Sequence, residues 1–296
     1  MMEQDSNTGP TGADPIALRS RWVPPEVMAI GSMFTVQLGA ALAVPVMSSI
    51  GSVATTALRL FWAGILLAVI VRPRFRAMSR HQWFAGVGLG IVIAGLTLCY
   101  FISISRIPMG PATAIEFLGP LGVALVASRR WLHLILAIVA AAGVLFLTRQ
   151  ESHWSVDAWG LCFAAGAALG WAAYILLMKR VGAAFPGLHG LSVALLVAAI
   201  VAMPISFVAG GNMFKLTPVL WTIGLALLTP LLPYALELMA LRRMSTRAFG
   251  IFMSLEPAIS AVLGYTILAQ HLTLRQIGGI GCVVAASAVT ALESRD

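Results

Sequence analysis

Four ionisable residues lie inside long apolar segments of this sequence: Arg59, Glu116, Glu237 and Glu256. A charged side chain at the centre of a membrane-spanning helix costs roughly 2.5 to 3.5 kcal/mol on insertion scales. Only a partner or a water-filled cavity offsets that cost, so such residues are candidates for function. A carboxyl group can bind a proton or a cation, and a guanidinium can receive a carboxylate. We therefore predict that Glu116 or Glu256 alternates between a proton and a cationic substrate group, while Arg59 binds a carboxylate.

Two of these residues also have a structural interpretation. Arg59 lies about two turns from the outer end of its predicted helix, where it could form a structural ion pair or extend to the membrane interface. Glu237 lies close to the predicted cytoplasmic end of its helix and could pair with Arg242 or Arg243. The sequence leaves these alternatives open.

Prolines interrupt the helices that carry the three carboxylates. A proline lacks the N–H that would bond the carbonyl four residues earlier, so that carbonyl loses its helical donor. Freed carbonyls in lipid are tolerated only where they face protein or a water-lined cavity. The breaks therefore predict a polar cavity. The prolines, each with the carbonyl it frees, are Pro120 (Glu116), Pro230 (Ala226), Pro233 (Thr229) and Pro257 (Met253).

Aromatic and small residues give weaker signals. Trp171 and Tyr174 are three residues apart and share one face of a helix. Together with Tyr100 they lie far from the predicted membrane interfaces, which makes them candidates for cavity lining. Glycines four residues apart favour close helix packing, and such pairs occur at Gly86 with Gly90 and at Gly166 with Gly170.

The composition predicts an all-α integral membrane protein. Hydrophobic residues make up 59% of the 296 residues, charged residues make up 10%, and the mean hydropathy is +0.93, which leaves too little charge to cover a soluble surface. A spanning helix needs about 20 apolar residues. Ten such spans are predicted, after a disordered tail over residues 1–24, at 26–47, 53–71, 82–103, 109–127, 131–148, 158–178, 187–209, 218–239, 247–268 and 274–292.

Basic residues indicate the orientation in the membrane. With the N-terminus in the cytoplasm, 14 of the 19 Lys and Arg residues fall on the cytoplasmic side, four fall outside, and Arg59 lies within the second span. This asymmetry follows the positive-inside rule and predicts cytoplasmic N- and C-termini in a bacterial inner membrane. Because the positive charge sits in short clusters between apolar runs, it does not indicate nucleic-acid binding.

The sequence also contains an internal repeat. Residues 103–120 align with residues 240–257 at a constant offset of 137, which pairs Arg106 with Arg243 and Pro120 with Pro257. Since five is odd, two consecutive five-helix units enter the membrane from opposite sides. We therefore predict a 5+5 inverted repeat with a first half at 25–150, a second half at 151–292 and a short tail at 293–296.

No enzymatic motif accompanies these features. The glycines at 86–90 lack the βαβ unit of a nucleotide loop, and Cys99, Cys162 and Cys282 lie in separate apolar runs without metal-ligand spacing. We expect no catalytic residues, cofactor or metal. A membrane-embedded enzyme or a scaffold is the weaker alternative, because an enzyme should gather its polar groups at one interface.

Five segments carry a resemblance to a known family: TALRL (56–60), AIEFLGPLGVALVASRR (114–130), GWAAYIL (170–176), PYALELMAL (233–241) and RAFGIFMSLEPA (247–258). In these the chain resembles the EamA-type transporters of the drug/metabolite transporter superfamily, most closely the bacterial exporters of threonine and homoserine. The chain departs from the family's usual Gly-Glu pair near 127–130 and 269–271, and it has Val44 and Pro45 where a lysine often ends the first helix.

The resemblance implies a ten-helix secondary transporter with a central cavity that exports small amino acids or related metabolites. It implies exchange for protons, and the protein contacts the lipid bilayer. It places Arg59, Glu116, Glu237 and Glu256 at cavity or coupling positions. Export of other metabolites or toxic compounds on the same scaffold is the open alternative, and a monomer and a homodimer are both compatible with the sequence.

Overall fold

The computed structural model describes residues 23–126, 157–209, 216–244 and 252–293, together with Phe249 and isolated positions between 135 and 146. The described elements are helical. They are α1 (Pro25–Ile50), α2 (Ser52–Val71), a 3₁₀ turn (Phe75–Ala77), α3 (Arg80–Ile104), α4 (Met109–Glu116), α5 (Leu118–Val126), α6 (Ala158–Ala184), α7 (His189–Val208), α8 (Leu216–Ala226), a π-helical segment (Leu227–Leu231), α9 (Leu232–Arg243), α10 (Glu256–Leu268) and α11 (Leu274–Glu293).

Six described helices are long and apolar enough to cross a membrane: α1, α2, α3, α6, α7 and the continuous run from α8 to α9. Two shorter apolar helices, Glu256–Leu268 and Leu274–Ala286, fall within the predicted ninth and tenth spans. The predicted fifth span (131–148), the two tails and the beginning of the ninth span lie largely outside the described residues. The all-helical class is therefore confirmed, while the count of ten spans stays a prediction.

The helices that carry the carboxylates are broken near the prolines. The predicted fourth span is two helices that meet at Phe117, three residues before Pro120. In the eighth span the chain passes through a π-helical segment around Pro230, where Thr229 has an extended backbone (φ −162°, ψ 119°). Helix α10 begins at Glu256 with Pro257 in its first turn, a position at which proline fits because its missing N–H needs no partner.

Contacts between helices converge on the interior. Helix α3 packs against α6 and α7, α2 against α7 and α8, α1 against α9 and α10, and α4 against α6 and α10. The glycine pairs lie at close helix contacts: a Cβ on Gly90 would lie 2.6 Å from the Ala194 carbonyl oxygen, and one on Gly170 would lie 3.0 Å from the Leu96 Cβ. The packing interpretation of these glycines is confirmed.

Hydrogen bonds and an ion pair connect neighbouring segments at the ends of the helices. At one end, three side chains bond carbonyl groups of neighbouring segments: Arg242 donates to Gly182 (3.3 Å) and Phe185 (2.8 Å), Arg243 to Val23 (2.7 Å) and Gln82 to Ala184 (2.9 Å). At another, Arg106 pairs with Asp157 at 2.8 Å. Asp157 also caps α6 by accepting hydrogen bonds from the backbone N–H groups of Trp159 and Gly160. The segments joined in each case are those predicted to lie on the same side of the membrane.

Candidate functional site

The interrupted helices surround a central cavity of about 50 Å³, which is room for only a few water molecules. Its walls come from α1, α3, α4, α6, the π-helical segment, α9 and α10. The lining residues include three carboxyl groups, three tyrosine hydroxyls and one tryptophan indole. They are Val36, Leu96, Thr97, Tyr100, Phe101, Glu116, Trp171, Tyr174, Thr229, Tyr234, Glu237 and Glu256.

Arg59 lies beside this cavity and is fully buried. Its Nε donates to the Thr229 carbonyl at 3.0 Å, and its guanidinium carbon stacks 3.9 Å from the centre of the Phe101 ring. Thr229 and Phe101 both line the cavity. The sequence alternative in which Arg59 extends to the interface is wrong, because the break at Pro230 and Pro233 provides an acceptor in the interior.

The outer nitrogens of Arg59 have no hydrogen-bond partner within the described part of the chain, although both Nη1 and Nη2 are buried. A buried donor without a partner is costly, so each such group requires an explanation. Guanidinium nitrogens form a planar fork that matches the two oxygens of a carboxylate. The geometry therefore suits Arg59 to a carboxylate ligand.

Glu256 stands at the beginning of α10 and is 3% exposed. Its Oε1 accepts a hydrogen bond from Gln37 Nε2 on α1 at 2.9 Å, whereas its Oε2 is buried without a partner among the described residues. Gln37 is held in turn by the Tyr100 hydroxyl, which donates to Gln37 Oε1 at 3.1 Å. One oxygen of Glu256 is thus fixed and the other is available.

Glu237 is bonded to an aromatic residue rather than to a cation. Its Oε2 accepts from the Tyr174 hydroxyl at 2.8 Å, and it is 3% exposed. Arg242, the neighbouring cation proposed from the sequence as a partner, instead donates to backbone carbonyls at the end of α6. Glu237 therefore faces the interior of the helix bundle.

Aromatic rings frame the remaining wall. The Trp171 ring packs edge-on against Phe117, with centroids 5.4 Å apart, at the break between α4 and α5. The rings of Tyr174 and Tyr234 are 5.2 Å apart. Aromatic faces attract cations, and the attraction strengthens where water is excluded.

The structure brings the residues singled out from the sequence into one place. Glu116, Glu237, Glu256, Trp171, Tyr174 and Tyr100 line the cavity, and Arg59 contacts two residues of its wall. Sequence reasoning missed Gln37 and Tyr234, along with the hydroxyls of Thr113 and Ser260. A buried amide in the apolar first span was a signal for Gln37. Tyr234 directly follows Pro233, and its position beside a helix break was also informative.

Comparisons with known proteins agree with this architecture. Residues 158–292 match the model of the EamA-like transporter family. The chain is 37% identical over 283 residues to the threonine/homoserine exporter RhtA of Salmonella typhimurium (strain SL1344), covering 93% of both chains. The chain belongs to the EamA-like transporter family. The RhtA protein of Escherichia coli (strain K12) is 34% identical over 281 residues, again with 93% of each chain covered.

A solved crystal structure shares the fold of this EamA-like transporter. The two align with a TM-score of 0.63, over 90% of this chain and 96% of the other, at 18% identity. At that identity the likeness concerns the fold alone. Family membership and the six long apolar helices establish a multi-pass membrane transporter.

Proposed function

We propose that this protein is a secondary transporter that exports small amino acids resembling threonine and homoserine in exchange for protons. The observation that carries the proposal is a buried guanidinium, whose two outer nitrogens have no partner among the described residues, beside a cavity lined by three carboxyl groups. An amino acid carries one carboxylate and one ammonium group, which are the charges that such a site can receive. The two RhtA relatives are named as exporters of this class.

The substrate carboxylate binds the two outer nitrogens of Arg59 as a planar, bidentate pair. The substrate ammonium binds a carboxylate of the cavity, with Glu256 Oε2 as the available oxygen. The aromatic rings of Trp171, Tyr174 and Tyr234 stabilise the ammonium through their faces. Because the cavity is smaller than threonine, the substrate fits only after the walls of the cavity move apart.

Exchange follows from competition at the carboxyl groups. A substrate ammonium and a proton cannot both occupy Glu256 Oε2, so protonation from outside releases the substrate there. Loss of that proton to the cytoplasm restores the anion and allows the next substrate to bind. Glu116 is the second candidate for this role, since it lines the same cavity from α4.

The inverted repeat supplies the alternating access in this proposal. The pattern of helix contacts supports it. In such a repeat α1 corresponds to α6, α2 to α7, α3 to the run from α8 to α9, and α4 to α10. The contact of α3 with α6 then corresponds to the contact of α9 with α1. The contact of α4 with α6 maps onto that of α10 with α1, and the contact of α3 with α7 maps onto that of α8 with α2. Inverted repeats related in this way exchange conformations around a midplane site.

The orientation in the proposal places both termini in the cytoplasm. The side chains that bond across the helix ends support it, because Arg242, Arg243 and Gln82 join segments that are rich in Lys and Arg. Substrate then enters from the end of the bundle that carries this charge.

Uptake into inside-out membrane vesicles tests the substrate class. Under an imposed pH gradient, vesicles with the protein should accumulate labelled threonine, and unlabelled homoserine should compete. Lipophilic cations should not compete, since they lack the carboxylate that Arg59 binds. Competition by lipophilic cations without threonine uptake would instead support the alternative, an exporter of toxic compounds.

A further inference from the structure

A chain of buried hydrogen bonds leads to Glu256 from the next turn of its own helix. Ser260 Oγ lies 2.8 Å from Thr113 Oγ1, and Thr113 Oγ1 lies 2.9 Å from the Tyr100 hydroxyl. Tyr100 then bonds Gln37, and Gln37 bonds Glu256. The chain crosses α10, α4, α3 and α1, and Gln37, Thr113 and Ser260 within it are 0% exposed.

Counting hydrogens gives the last two bonds of the chain a direction. The Gln37 oxygen has no hydrogen, so the Tyr100 hydroxyl must donate to it. The Thr113 hydroxyl has two acceptors in reach, the Met109 carbonyl of its own helix at 2.9 Å and the Tyr100 oxygen at 2.9 Å, and its single hydrogen serves one of them or is shared between both. The two bonds nearest the carboxylate, from Tyr100 to Gln37 and from Gln37 to Glu256, both donate toward Glu256.

The orientation of the Gln37 amide follows from the same count. If the amide were reversed, its oxygen would face the oxygen of the Glu256 carboxylate, and the two acceptors would repel. The Glu256 carboxylate, which only accepts, thus fixes which end of Gln37 meets it, and the Tyr100 hydroxyl donates to the other end. This orientation also keeps Oε1 of that carboxyl occupied as an acceptor.

We propose that Gln37 is the positioning residue of the exchange site: it holds Glu256 Oε1 as a permanent acceptor and directs the proton, or the substrate ammonium, to Oε2. Oε2 is buried and has no partner among the described residues. The inference rests on the proposed coupling role of Glu256 but is independent of which amino acid is exported.

The charged and titratable surroundings of Glu256 come from several helices. Glu116 on α4, Glu237 and Tyr234 on α9, Tyr100 on α3 and Tyr174 on α6 share its cavity, and Arg59 on α2 lies beside that cavity. Arg275 on α11 is exposed. Gln37 is the residue of α1 that bonds Glu256, and its amide does not titrate.

Infrared spectroscopy of the purified protein in liposomes tests the inference without any substrate. The C=O stretching band of protonated Glu256 is assigned as the band that is missing from Glu256→Gln. If the proton resides on Oε2, the carbonyl oxygen is Oε1, which accepts from Gln37. Replacing that donor with an apolar side chain of similar shape, in Gln37→Met, should shift the band to higher frequency.

Two further variants keep the test decisive. Tyr100→Phe removes the hydroxyl that bonds Gln37 and should shift the Glu256 band in the same direction, but by a smaller amount than Gln37→Met. This variant provides the test if Gln37→Met fails to fold. Ser32→Ala is the matched control, because Ser32 is equally buried on α1 but donates only to the Ala29 carbonyl of its own helix. Its band should not move.

An unchanged Glu256 band in folded Gln37→Met would overturn the inference, since Oε1 would then not be the bonded carbonyl oxygen. Threonine counterflow into the same liposomes is measured in parallel. Absence of counterflow in the unmutated protein contradicts the amino-acid proposal, whereas the band shift reports on Gln37 alone.

Discussion

At the scale of single residues, the interior of the molecule contains hydrogen-bonding groups that its own side chains do not satisfy. Within the described part of the chain these include both outer nitrogens of Arg59 and one oxygen of Glu256. A fold maintained only for stability gains nothing from such groups, because each carries a desolvation cost. Glu256 lines the cavity and Arg59 lies beside it, and in the proposed function the ligand supplies their missing partners.

Arg59→Lys tests the proposed carboxylate site. Lysine keeps the positive charge but lacks the planar fork and the stacking surface over Phe101. We expect the apparent affinity for threonine to fall about tenfold or more, since a bond between charged groups contributes about 1.5 to 3 kcal/mol. Concentration-dependent counterflow in proteoliposomes measures it. An unchanged half-saturating concentration would remove Arg59 from the binding site.

Tyr174→Phe tests the bond that holds Glu237. The substitution leaves the buried carboxyl without its hydroxyl donor, so we expect the free energy of unfolding to fall by about 1 to 3 kcal/mol. Thermal unfolding in detergent, followed by fluorescence, measures the effect. Tyr265→Phe is the control, because Tyr265 is 58% exposed and its ring contact with His271 needs no hydroxyl. Equal melting temperatures for the two variants would contradict the prediction.

At the scale of helices, the continuous and the interrupted helices contribute differently to the site. Glycines of α3 face α7 and glycines of α6 face α3, which brings these helices close together, and Tyr100 and Phe101 of α3 lie on the cavity wall. The interrupted helices supply the carboxyl groups and the Thr229 carbonyl. The continuous helices therefore position the site, while the broken ones furnish its polar groups.

Gly90→Ala tests the packing of α3 against α7. The added methyl would lie 2.6 Å from the Ala194 carbonyl oxygen and from the Val197 Cβ, so the helices must separate. Overpacking of this kind costs about 1 to 3 kcal/mol. Gly95→Ala, on the same helix, is the matched control because nothing lies within 4 Å of its added methyl. Because alanine has the higher helix propensity at both positions, a Gly90→Ala variant that is as stable as Gly95→Ala would contradict the packing role.

Asp157 tests the cap of α6 through its pH dependence. The hydrogen bond from Arg106, followed by that from the Gly160 N–H, lowers the pKa of Asp157 below its usual value. A group whose folded pKa is lowered stabilises the protein above its unfolded pKa and loses that contribution as the pH falls through the folded pKa. The melting temperature of Asp157→Asn should therefore lie below that of the unmutated protein at pH 7 and approach it in acid. A difference that is constant with pH would contradict the role of the charge.

The sequence predicted the breaks in the helices better than it predicted the partners of the buried residues. Proline chemistry is local, so Pro233 alone indicated that the Thr229 carbonyl would need a donor. That Arg59 supplies this donor depends on the packing of α2 beside the π-helical segment, which spacing along the chain does not specify. Gln37 was overlooked because an uncharged amide carries a smaller insertion cost than a carboxylate.

At the scale of the whole molecule, the proposed inverted repeat relates the helices of the two halves but not their charges. Arg59 comes from the first half, and Glu237 and Glu256 come from the second. A symmetric scaffold with an asymmetric site allows two conformations to present the same groups to opposite sides of the membrane. In the proposed mechanism, the coupling of substrate to protons depends on the site, and the change between the two conformations depends on the scaffold.

Proton movement coupled to threonine tests the proposed exchange directly. Protein in liposomes that enclose a pH-sensitive dye should move protons across the membrane when threonine is added to one side. Glu256→Gln should no longer move protons when threonine is added, because its amide neither binds nor releases a proton. Threonine transport by the unmutated protein without any dye response would contradict exchange for protons at this cavity.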